Sequence, residues 1–131
     1  METQKTLTRH STIAMVLIGL AALAIGQTTE TERPKDGTYT YAVAFAEWNG
    51  KTNGATCTVI ISGDSIKVVH NGNPNLSGKK GSIIDQGIIM KHAGTGKWII
   101  GHTINDKNAK EVNGCEGQTI VDFKKKLIWS C

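Results

Sequence analysis

The stretch Gly87–His102, Gly-Ile-Ile-Met-Lys-His-Ala-Gly-Thr-Gly-Lys-Trp-Ile-Ile-Gly-His, decides how the chain is read. Two apolar runs flank a Gly-rich turn, the pattern of a β-hairpin, with Gly94-Thr95 fitting a type II′ loop. That register sets Met90 opposite Ile99 on one face. Ile89 then opposes Ile100, and Lys91 opposes Trp98, on the other. Bulky apolar groups therefore stand on both faces. A sheet with one wet face would alternate, so the hairpin is expected mid-sheet with something packed on each side.

Further short strands gather around it. Thr38–Trp48 reads as a long strand with Tyr39, Tyr41, Val43 and Phe45 on one face and Ala42, Ala44 and Ala46 on the other. Asn49–Gly54, with two Asn-Gly pairs, is a turn. Ala55–Ser62 and Ser65–His70 pair through Gly63-Asp64. Asn71–Gly81 is a loop, and Ser82–Gln86 a short strand that leads, through Gly87, into the central hairpin. Residues 105–111 are the one place for a short helix. Thr119–Phe123 and Leu127–Cys131 close the chain as a hairpin through Lys124–Lys126, in preference to one long strand. The sum is an all-β, small antiparallel meander of about seven to eight strands, a barrel or a two-layer sandwich.

The N-terminus points to export. Lys5, Arg9 and His10 precede an uninterrupted apolar run, Ile13–Ile25, and Ala24-Ile25-Gly26 supplies small residues before a cut. Residues 1–26 are read as a signal peptide, 27–36 as a flexible leader and 37–131 as a single β domain. The apolar run is shorter than the roughly 18 residues needed to span a bilayer, so no stable membrane insertion is expected after cleavage. The localisation is secreted or periplasmic. Without the charges of residues 1–26, 13 basic and 10 acidic side chains remain. That mild excess, with no basic stripe interleaved with aromatics, argues against a nucleic-acid partner.

Export also bears on the three cysteines, because disulfides persist outside the cytosol. Cys57 shares a strand face with Val59 and Ile61, as an inert core thiol would. Cys115 and Cys131 are then the natural pair, with Cys57–Cys131 as the alternative.

The motifs that carry chemistry are missing. Gly78-Lys79-Lys80-Gly81-Ser82 has the wrong glycine spacing for a phosphate loop, and Lys80 stands where Ser or Thr is required. His70, His92 and His102 lack metal-ligand spacing, and His92 and His102 fall at opposite hairpin ends on opposite faces, as strand-end surface histidines. No nucleophile elbow occurs, and the carboxylates sit at turns and strand ends, where charge is expected without catalysis. Asn75-Leu76-Ser77 is an N-glycosylation acceptor if the source is eukaryotic. Lys79-Lys80 and Lys124–Lys126 form one basic patch only if they share an end of the fold; the simpler reading is lysines guarding strand edges.

The sequence thus predicts no enzyme, no metal and no cofactor. The leading expectation is a barrel binding a small apolar or amphipathic ligand, lined by Tyr39, Tyr41, Phe45, Trp98 and Trp129, because aromatics combine apolar area with a polar edge. The alternative is a cavity-free module acting on an envelope or extracellular protein through its surface.

Overall fold

The computed structural model describes residues 33–113 and 115–131. The signal-peptide reading of residues 1–26 lies outside them. Seven strands close into a barrel: β1 (Gly37–Phe45), β2 (Thr56–Ser62), β3 (Ser65–Val69), β4 (Ile83–Lys91), β5 (Trp98–Gly101), β6 (Ile120–Asp122) and β7 (Leu127–Ser130). Direction alternates along a meander, so β1 and β7 point the same way, and the ring can close only through a parallel pair. Ala42–Phe45 of β1 supply it, facing Leu127–Ser130, while Gly37–Ala42 pair with β2.

The interior is filled by the inward position of every strand. Tyr41 and Val43 come from β1, Cys57, Val59 and Ile61 from β2, and Ile66 and Val68 from β3; Ile89, Ile100, Val121 and Ile128 complete the ring. A barrel of this size is just wide enough for its own side chains. Burial pushes the Cys57 thiol up to about 11, which keeps it protonated and inert. Cys115 and Cys131 form the disulfide, so the terminal residue is fastened to the β5–β6 connection.

The central hairpin has the expected register: Met90↔Ile99, Ile89↔Ile100 and Lys91↔Trp98. Its turn is not the expected type II′ loop. Gly96 (φ 72°), rather than Gly94, takes the left-handed conformation, and the loop closes through Gly96 N–H to the His92 carbonyl at 2.7 Å. The cause is His92, whose ring folds under the loop to meet Thr95. Two other boundaries differ. Ser82–Gln86 and the hairpin arm are one strand running through Gly87, where a Cβ would lie 2.2 Å from the Gly101 carbonyl oxygen. Glycine permits close approach of β4 and β5 there. The first strand ends at Phe45, and Ala46–Trp48 forms a 3-10 turn; the helix expected at 105–111 is likewise a 3-10 turn, Ile104–Asn108.

The hairpin is covered on both faces at β5, as the apolar pattern of Ile99 and Ile100 requires, while the outward Ile88 of β4 stays exposed. The inner face meets the interior. Outside, the connection 102–119 acts as a strap. It leaves the end of β5, reaches the opposite mouth, where Ala93 N–H donates to Lys107 O at 2.8 Å, and returns to Thr119, whose carbonyl accepts from Ile100 N–H at 2.9 Å. Beneath this path Ile99 and Ile120, cross-strand partners of outward parity, are 0% and 5% exposed.

Candidate functional site

The five aromatic residues expected to line one cavity are spread over the molecule. Tyr41 is buried in mid-barrel, and desolvation pushes its hydroxyl up to about 12. Tyr39 meets it edge-on at 6.3 Å. Phe45 lies towards one mouth, 4.9 Å from Trp48, and Trp98 towards the other, 5.8 Å from Phe123. Lys91 Nζ and the Arg33 guanidinium stand 5.1 and 6.0 Å from the Trp98 ring, and Arg33 also bridges to Asp64 at 2.9 Å. The end of the expected leader is thereby tied to this mouth. Trp129 has the opposite parity from Ile128 and lies on the outer wall, over Gly50, where a Cβ would come within 2.7 Å of its ring. Tyr39, Phe45 and Trp98 are half-buried partners of a packed interior, and Trp129 belongs to a different surface.

The histidines correct another expectation. His92 is buried: Nε2–H donates to Ala109 O at 2.6 Å, and Nδ1 accepts from the Thr95 hydroxyl at 2.9 Å. It pins the strap to the hairpin loop. His70 is buried too, with Nε2–H to Leu76 O at 3.0 Å and Gly72 N–H to Nδ1 at 2.9 Å. Both rings use both nitrogens, which leaves no lone pair for a metal. Among the described residues only His102 is a surface histidine, and it meets Asp85 at 2.8 Å.

Among the described residues Asp85 is the one mostly buried carboxylate with two side-chain partners. One oxygen accepts from His102 Nε2–H, the other from the Thr119 hydroxyl at 2.6 Å. A nucleophilic triad needs the hydroxyl on the histidine and the carboxylate behind it. Here the carboxylate stands in the middle and clamps the two ends of the strap together. Glu47, Cys115 and Cys131 lie within 4.8 Å of one another, but the two sulfurs are bonded to each other and offer no thiolates. Lys79-Lys80 and Lys124–Lys126 occupy loops at opposite mouths, between β3 and β4 and between β6 and β7, so they form no shared patch. The Asn75 amide donates to Asn53 O at 3.1 Å, which binds the atom a glycan would use.

A groove of about 500 Å³ opens on the outer wall of β2–β4, lined by Ile60, Ser62, Ser65, Ile66, Lys67, Gln86, Gly87 and Ile88. The strand registers explain its shape. Ser62 faces Ser65, which faces Ile88, giving one row of outward side chains; Ile60, Lys67 and Gln86 form the next. Between them runs an inward row, in which Ile66 pairs with Gly87, so the floor is backbone. Ile60 and Ile88 are 38% and 46% exposed. Sequence reasoning passed over this surface. Its one signal was Ile60, an apolar residue in the otherwise polar outward series Thr56, Thr58, Ser62.

Comparison with known proteins finds no matching family, no matching curated protein and no matching solved structure.

Proposed function

We propose that this chain is an exported, non-catalytic binding protein that takes a small apolar or amphipathic ligand on the outer wall of β2–β4, not inside the barrel. The observation that carries the reading is the contrast between a filled interior and an open outer groove edged by two exposed isoleucines. Its volume falls in the range of small-molecule sites, roughly 300–1,000 Å³. The closed ring removes strand edges, so a partner cannot add a strand to the groove wall and must use side chains. Export is supported by the Cys115–Cys131 disulfide and the basic-then-apolar N-terminus. A non-catalytic role is supported by the use of Asp85 as a clamp.

Titration with the neutral dye Nile red tests the site. Saturable fluorescence enhancement is expected, and it should be lost in Ile60→Ser/Ile88→Ser, whose unfolding midpoint should match the parent because both side chains are exposed. Dye binding that survives this change but is lost in Trp98→Ala would return the site to the barrel mouth.

A further inference from the structure

We infer that the ligand of the outer groove is an amphipathic anion, its acidic head held over β3 by Lys67 and Ser65 and its apolar part lying against Ile60 and Ile88. This rests on the groove reading above and adds the chemical class. The lining contains one cation and no carboxylate. None of the ion pairs among the described residues uses Lys67. The acids nearest in sequence are engaged elsewhere: Asp64 with Arg33 and Asp85 with His102. A positive charge with no internal counter-ion in a groove edged by isoleucines matches a molecule that carries one negative charge and a hydrocarbon part.

The two rows supply the remaining selectivity. Residues two apart on a strand are separated by about 7 Å, so the rows leave room for a single alkyl chain touching both walls. Ser62 and Ser65 stand side by side as short hydroxyl donors, low enough to leave the floor at Ile66 and Gly87 open. Within the groove row, Lys67 lies between Ile60 and Gln86. An acidic head over β3 is thus within reach of the ammonium and a serine hydroxyl, while apolar surface lies on either side, on β2 and β4. A Lys ammonium is a point charge and sets no planar geometry, so a monoanion of either carboxylate or sulfate type satisfies it.

Amide-resolved NMR titration of the full chain with sodium octanoate, and separately with 1-octanol, tests this. Octanoate is expected to shift the amides of residues 60–67 and 86–88 saturably, and about fivefold more tightly than octanol, the gain a solvent-exposed ion pair supplies. Lys67→Gln should abolish that difference and leave octanol binding unchanged. Equal affinities in the parent protein, or an unchanged octanoate affinity in Lys67→Gln, overturns the anionic assignment while the groove stands. Absence of saturable shifts at these residues with either compound overturns the groove as well.

Discussion

The outer walls of the two halves of the barrel are built alike and finished differently. Both carry isoleucines at outward positions, where strand alternation would place polar groups. On the β5–β6 side the strap buries Ile99 and Ile120; on the β2–β4 side Ile60 and Ile88 stay in water. Covering one wall requires the whole connection 102–119, fastened by the Asp85 clamp, by His92 and by the disulfide. The chain leaves the other wall bare. Single exposed apolar residues need no explanation, but two on facing rows of one groove form a surface.

The contrast is broken most directly by truncating one isoleucine on each wall. Ile99→Ala should cost about 2–5 kcal/mol and Ile88→Ala less than about 0.5 kcal/mol, both read from urea denaturation. Equal losses would mean that the strap does not bury its wall. Next in size is the fastening. Replacing Cys115 and Cys131 by Ser should cost about 3 kcal/mol for a loop of this length, with hydrogen exchange faster in the strap than in β2–β4.

The interior, shared by both walls, should respond to alkali. Burial raises Cys57 from 9.0 to about 11 and Tyr41 from 10.0 to about 12, so the folded state holds both protons more firmly than the unfolded state. Their contribution is complete below pH 9 and is lost as pH rises through the folded values. The urea midpoint should therefore fall as pH rises from about 9 towards about 12, and Cys57→Val should flatten that fall. The smallest effect is confined to the strap. Asp106 is held below the usual carboxylate range by the backbone N–H of His102 and then by that of Thr103. Its contribution is present above about pH 4 and lost as pH falls, so protection factors of those two amides should drop at pH 3 while β2 amides keep theirs.

What the sequence made legible follows contact range. The hairpin register depends on neighbours a few residues apart, and the apolar pattern of Met90, Ile99, Ile89 and Ile100 already required cover on both sides. The Cys115–Cys131 pair followed from the inward parity of Cys57. The covering layer itself was not legible, because residues 102–119 are mostly polar and carry no period. His92 escaped because one of its partners, Ala109, is 17 residues away. The aromatic set is dispersed for another reason: residue type selects its members, whereas parity separates Trp129 from the rest. The groove lies across three strands, and its β4 wall is hidden in a sequence that divides β4 into a short strand, Ser82–Gln86, and a hairpin arm.

The parallel closure of β1 against β7 has a consequence for where the chain can be cut and joined. An odd ring sends its first and last strands the same way, so the described chain enters at one pole and finishes at the other. β1 alone spans about 30 Å at 3.3 Å per residue. A circular permutant joining Cys131 to Gly37 must therefore carry a linker of about nine extended residues along the outside of the barrel. A label or surface tether at either pole, by the same geometry, leaves the β2–β4 wall unobstructed.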